Sequence, residues 1–235
     1  MKELCRELKG LLMDKGASLV GFADLIGVPA DVRDSMRFAI SMAVALDAAV
    51  TSTIQDGPTD PYYIEYRKAN ALLTGLGKVA CSMIEGFGYK AVSKKPTHAG
   101  IDPKTQSTAL PHKTVATRAG LGWIGKCALL VTEEYGSAIR ISTVLTDAPL
   151  EASAPVDDSL CGDCTLCVES CPGKAPSGKN WKVGLHRDSF FDVFACERAA
   201  RERGMTKLGI DDTICGICIS ICPWTIGYIE REPGV

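Results

Sequence analysis

The sequence predicts an α+β fold in two parts: a domain mixing helices and strands over residues 1–150, and a small cysteine-rich module over residues 151–235. Three observations predict it. Helical and strand-like hydrophobic periods alternate as far as Leu150. The stretch EASAPVDDS then reads as a linker, and the segment from Cys161 to Pro223 holds eight of the chain's eleven cysteines. At 235 residues the chain is long enough to bury a real core.

The elements follow in order. MKELCRELKGLLMDKG places Leu at helical spacing among charges and reads as an amphipathic helix ending near Gly16. SLVGFAD and FAISMAVAL read as strands, and PYYIEYRKANALLTGLGKVACSMIEGFG has the 3.6-residue period of a long helix ending at Gly86 or Gly88. YKAVSK is a further strand and KKPTHAGIDPKTQ a polar, Pro- and Gly-containing loop. KTVATRAG reads as a helix, while CALLVTEEYG and AIRISTVLT read as two strands joined by a turn.

Composition narrows the function. The formal net charge is −2, with no basic tail and no run of like charges, so there is no electrostatic footprint for non-specific nucleic-acid binding. Residues from Glu151 onward carry 13 acidic and 9 basic side chains, the first 150 carry 15 and 17, and the cysteine module is therefore the acidic part. The N-terminus lacks the pattern of a signal peptide, and Phe38 to Leu46, the longest apolar stretch, is too short to span a bilayer. A cytoplasmic protein with no membrane partner is expected. In a reducing compartment eleven cysteines point to metal and not to a disulfide framework.

The cysteine spacing specifies which metal. CGDCTLCVESCP places Cys161, Cys164, Cys167 and Cys171 before Pro172 in the C-x2-C-x2-C-x3-C-P run of bacterial ferredoxins. In that run three close thiolates hold one [4Fe–4S] cube and the fourth reaches the other. A zinc ribbon would show two separated C-x2-C pairs instead. CGICISICPW supplies Cys215, Cys218 and Cys222, with Asp212 where the first cysteine of a second run would stand. Cys196, in the helix-like SFFDVFACERAARER, is the remaining cysteine of the module; it is either the missing ligand or a buried structural thiol. The expected assignment is Cys161, Cys164, Cys167 and Cys222 on one cluster, with Cys171, Cys196, Cys215 and Cys218 on the other. Cys5, Cys81 and Cys127 sit in apolar contexts and read as small buried hydrophobes.

RAGLGWIGKC contains Gly120, Gly122 and Gly125 in the order G-x-G-x-x-G. A dinucleotide fingerprint follows a strand and opens a helix. Here a helix precedes the glycines and a strand follows, so the nicotinamide reading fails. Gly120 reads as the left-handed residue closing a helix. That leaves Trp123 and Lys126 unexplained.

At these residues the chain resembles a known family. AGLGWIGK, then two strands, then a two-cluster module ending in CPW, is similar to epoxyqueuosine reductases and their relatives, the reductive dehalogenases. The resemblance implies a nitroreductase-like N-terminal domain that holds cobalamin, with Lys113, Ala119, Gly120, Leu121, Gly122, Trp123, Gly125 and Lys126 at the cofactor. It also implies two clusters that take electrons from an external low-potential donor and pass them to cobalt. Two departures bear on the substrate. Where the family has D-S-x-P-x-x-E-R, beginning with its acidic proton donor, this chain reads QSTALPHK, with Gln106 in the acid's place and His112 and Lys113 where Glu and Arg would stand. The H-Y-G-R-D-Y-H type of motif is not found either, and the comparable region is TDPYYIEYRKAN.

His112 is then the expected proton donor, since imidazole titrates near neutrality. Tyr62, Tyr63 and Tyr66 either line a flat cofactor or belong to the core, and His98 and His186 are assigned no role. The expected activity is reduction of an unidentified substrate, with tRNA left open. The alternative is an electron carrier that binds a corrinoid or FMN and reduces a small-molecule or protein-bound cofactor.

Overall fold

A computed structural model describes residues 2–96 and 100–232. His98, to which the sequence assigned nothing, lies outside the described residues. The chain forms two compact units, each drawn from several segments. One comprises Met1–Ala45, Lys68–Gly122 and Arg140–Val156; the other comprises Leu46–Arg67, Trp123–Ile139 and Asp157–Val235. The sequence suggested a single cut at residue 150. The structure instead draws the second unit from three segments, because two stretches from before residue 150 pack with the cysteines.

The first unit is built on a four-stranded sheet. Helix α1 (Lys2–Asp14) buries Leu4, Cys5, Leu8 and Leu12 and packs on β1 (Leu19–Asp24). β1 pairs antiparallel with β2 (Phe38–Ala45), Gly21 opposite Ser41. Past the short α2 (Ala48–Ser52) comes the long α3 (Asp60–Gly86), followed by β3 (Ala91–Lys94). Helix α4 (His112–Arg118) precedes the two-residue strands β4 (Trp123–Ile124) and β5 (Leu130–Val131), and β6 (Ile139–Thr146) completes the sheet in the order β1-β2-β6-β3. Ala23, Leu25, Ala39, Val115, Ala119 and Leu145 form a buried cluster that seats α4 on the sheet.

The expected strand pair CALLV and AIRISTVLT is not a hairpin. β5 turns back onto β4, with Trp123 opposite Val131, and β6 lies between β2 and β3. Two-residue strands carry too little alternation for a period to be read.

In the second unit α2 packs on two short helices, α7 (Ile217–Ser220) and α8 (Pro223–Arg231), and α7 also touches α5 (Leu166–Glu169). Between the two cysteine motifs runs α6 (Val193–Leu208). Asp192 caps its start by accepting a hydrogen bond from the Ala195 amide at 2.9 Å, and Gly209 ends it with φ +67°. Among the described residues no helix is long and apolar enough to cross a membrane.

Candidate metal centre

The first cysteine run folds into a tight loop that ends in α5. The last cysteine of the second run, Cys222, is the residue before α8, where Pro223 can open the helix without losing a hydrogen bond. Cys161, Cys164, Cys167 and Cys222 line one cavity, together with Cys218, Cys127, Gly125, Lys126, Val131 and Trp224. Thus cysteines from both ends of the module line one space, with Cys218 of the other expected set among them. Among the described residues no three His, Cys, Asp or Glu side chains close around a single metal ion. A lone zinc holds every thiolate about 2.3 Å from one point; a cube is wider, and thiolates spread around a cavity suit it. Burial pushes the Cys222 and Cys215 thiols up. Buried thiols of this kind become thiolates when iron binds and the proton leaves.

The segments that carry Cys171, Cys196 and Cys215 pack closely, backbone against helix. The loop after Cys171 lies on the start of α6: a Cβ on Gly173 would stand 2.5 Å from the Ala195 carbonyl oxygen and 3.0 Å from Ala199 Cβ. The Asp192 amide donates to the Ala175 carbonyl at 2.8 Å. Further along α6, Gly204 lets the irregular segment before Cys215 come close, since a Cβ there would lie 2.6 Å from the Asp212 carbonyl oxygen. α6, which carries Cys196, is thereby clamped between Cys171 and Cys215. Asp212 is occupied elsewhere: its carboxylate accepts from the Thr213 amide at 2.7 Å and from the Tyr63 hydroxyl at 3.4 Å.

Cys127, read from sequence as apolar filling, lies within hydrogen-bond reach of both Cys167 and Cys218. Cys167 belongs to one expected ligand set and Cys218 to the other, so the two sets adjoin. Its contact with Cys127, then burial, raises the Cys167 thiol, and the charge on Lys126 pulls the other way. Nothing in the local sequence announces this, because Cys127 precedes the first run by 34 positions.

The glycine segment has several separate jobs. α4 ends in a Schellman motif: the Leu121 amide donates to the Ala116 carbonyl at 3.0 Å and the Gly120 amide to the Thr117 carbonyl at 3.2 Å. Gly120 has φ +71°, as expected of a closing glycine. Ala119 packs tightly under β1, Gly122 is buried, and Leu121 and Lys113 are half-buried. Trp123 is 1% exposed, meets Trp224 edge to face at 5.0 Å between ring centroids, and has no acceptor for its indole N–H among the described residues. Gly125 faces the cavity, where a Cβ would be 2.9 Å from Val131 Cγ2 and 3.6 Å from Cys161 Sγ. Lys126 donates to the Gly162 carbonyl at 2.8 Å and the Cys164 carbonyl at 2.9 Å. Lys126 is therefore committed to the cysteine loop.

His112, the expected proton donor, has both ring nitrogens engaged. Nε2 lies 2.9 Å from the Lys95 carbonyl oxygen and Nδ1 2.9 Å from Thr143 Oγ1. A carbonyl only accepts, so Nε2 carries the proton and Nδ1 accepts from the threonine. Burial draws its pKa below the usual 6.5. This is a structural role. Gln106, with φ +49°, closes a turn on Asp102, and its side-chain amide donates to the Pro103 carbonyl at 3.4 Å. Tyr62 is buried beside Ile54 and Gly216 as a core residue, and His186 caps a single 3-10 turn.

Known proteins match this arrangement. A family described as a 4Fe-4S double cluster binding domain matches residues 160–225. The epoxyqueuosine reductase of Lactococcus garvieae (strain Lg2) is 31% identical over 179 residues, covering 74% of this chain and 46% of the relative. The chain thus spans about half the length of the curated relatives it matches. A reductive dehalogenase structure bearing on B12-dependent dehalogenation superposes with a TM-score of 0.70 at 19% identity, over 97% of this chain and 32% of that one. An epoxyqueuosine reductase with an epoxyqueuosine-modified tRNA stem loop gives 0.65 at 17% identity, over 99% and 70%. With its α+β elements and a ferredoxin-type cysteine module matched by a 4Fe-4S double cluster binding domain, the chain is related to the epoxyqueuosine reductases over about three quarters of its length and shares its fold with a reductive dehalogenase.

Proposed function

We propose that this protein is an iron–sulfur reductase in which two [4Fe–4S] clusters carry low-potential electrons to a cobalamin held by a nitroreductase-like domain, for reduction of a substrate still to be identified. One observation carries the reading: Cys161, Cys164, Cys167 and Cys222 surround a single cavity, and Cys127 links that set to Cys218. Adjoining ligand sets make a short electron path. The protein's own contribution is to bury the thiolates, to fix the loop through Lys126, and to keep water out with Trp123, Val131 and Trp224.

The residues expected to hold cobalamin fit it only in part. Ala119, Trp123 and Lys126 are already committed to protein contacts, and Leu121, half-buried beside them, keeps scope to touch a corrin. Cobalamin, when bound, would supply the cobalt-centred reduction its B12-dependent relative is named for.

A second reading has a specific observation behind it. With Gln106 in place of the family's acid and His112 spent on Lys95 and Thr143, no proton donor stands at the expected positions. An electron carrier that reduces a corrinoid, an FMN or a partner-bound cofactor needs none. Anaerobic purification, assay of iron, sulfide, cobalt and flavin, and titration with cobalamin under visible spectroscopy separate the two. About eight irons per chain with a saturable cobalamin shift supports a corrinoid protein, and turnover on an epoxyqueuosine-containing stem loop or an aryl halide would mark it as the reductase. Eight irons without corrin binding overturns the cobalamin reading.

A further inference from the structure

Lys126 presents a problem of charge. Its side chain is 4% exposed, yet among the described residues no carboxylate lies within salt-bridge distance of it. An ammonium has three N–H donors. Two are satisfied by the carbonyls of Gly162 and Cys164, which are neutral dipoles and not countercharges. A buried cation without an anion is strongly unfavourable, and removing one partner of a buried pair usually costs several kcal/mol. Its charge therefore calls for an anionic neighbour in the space it faces. Lys126 lines the same cavity as Cys161, Cys164, Cys167 and Cys222.

We propose that Lys126 is the fixed countercharge of the cluster bound by Cys161, Cys164, Cys167 and Cys222, and that it holds the reduction potential of that cluster above what its thiolates alone would set. The inference rests on the double-cluster reading. A cube held by four thiolates is an anion, and one-electron reduction adds a further negative charge. A positive charge held against it at low dielectric stabilises the reduced form more than the oxidised form. The same two carbonyl contacts that anchor the ammonium also fix its distance from the cluster. Lys126 thus acts through electrostatics on the electron's resting place and touches no substrate.

The test is a potentiometric titration of the anaerobic holoprotein, followed by electron paramagnetic resonance, with Lys126→Met, Lys126→Gln and Lys126→Arg beside the unaltered chain. About eight irons in the unaltered chain verifies the cluster reading by itself; fewer than that fails the cluster reading, whatever Lys126 does. In Lys126→Gln, which keeps a donor for the carbonyls but no charge, the reduction equilibrium of one cluster should fall about tenfold, a shift of about 59 mV to lower potential. The second cluster should move less, and Lys126→Arg should restore the unaltered value. If Met and Gln lose iron while Arg retains it, the charge is again what the site requires. An unaltered potential in Lys126→Gln overturns the proposal, as does loss of iron from Arg and Met alike.

Discussion

Replacing His112 by Phe separates a structural histidine from a proton donor. The side chain stays a flat aromatic ring, somewhat larger, but loses both nitrogens, and with them the 2.9 Å bonds to the Lys95 carbonyl and the Thr143 hydroxyl. At about 1 kcal/mol for each net hydrogen bond, the loss is about 2 kcal/mol, and Thr143, 2% exposed, is left with a buried hydroxyl. For a chain of this size that lowers Tm by about 4–8 °C. The measurement is thermal unfolding by circular dichroism at pH 8 and pH 5.5. The pH dependence has a definite sign: the folded-state pKa lies below the usual 6.5, so the unfolded chain takes up the proton first. His112's contribution is therefore complete above pH 6.5 and is lost as pH falls through the folded-state value. Burial is the largest cause of that lowered value, with the Lys95 carbonyl opposing it, so desolvation accounts for most of the slope. His112→Phe should flatten that part of the acid loss. A variant that melts within about 1 °C of the unaltered protein, yet loses electron delivery to its acceptor, would refute the structural assignment.

Other substitutions probe the metal centre. Gly125→Ala drives a methyl against Val131, a fully buried, stiff side chain, and beside Cys161 Sγ; overpacking of about 1–3 kcal/mol should lower iron incorporation, and full iron with unaltered spectra would count against the cavity as described. Cys196→Ser should leave about four irons in place of about eight, whereas a full complement would return Cys196 to the buried structural role. Cys127→Ser should keep all the iron while altering the resonance spectrum of at least one cluster, since its thiol touches Cys167 and Cys218 without being required by either; loss of one cluster would make it a ligand. Gly136→Ala should reduce folded yield, because φ is +56° and a Cβ would stand 2.3 Å from the Thr225 amide; a yield equal to that of the unaltered chain would contradict this packing.

Long periodic segments and cysteine spacing were legible in the sequence for a physical reason: each is a local pattern. The 27 residues of α3 and the strands at Leu19 and Phe38 fall where their periods place them. Gly120 ends α4 in the conformation its position implies. What local pattern cannot carry is partnership across distance. His112 reads as a titratable group beside a glycine turn because Thr143 lies 31 residues away. Lys126 reads as a cofactor lysine because the carbonyls that hold it lie 36 and 38 residues on. Cys127 looks like its apolar neighbours until folding sets it between Cys167 and Cys218. The same holds for the domain cut at residue 150, since composition shifts there while the packing partners of the cysteines begin at Leu46.

That last feature bears on the order in which the molecule is made. The Tyr228 hydroxyl donates to the Leu46 carbonyl across 182 positions, and the Thr225 hydroxyl accepts from the Ser137 amide across 88. Contacts so far apart in sequence close late. A ribosome that has released the first cysteine run has not yet released Cys215, Cys218, Cys222 or the helix that follows them. Iron delivered at that stage would meet three or four thiolates of an unfinished site, open to oxygen and to other metals. The cavity lined by Cys161, Cys164, Cys167 and Cys222 is therefore complete only once the whole chain has been made, and a fragment starting at Asp157 would lack Gly125 and Lys126, which line it too.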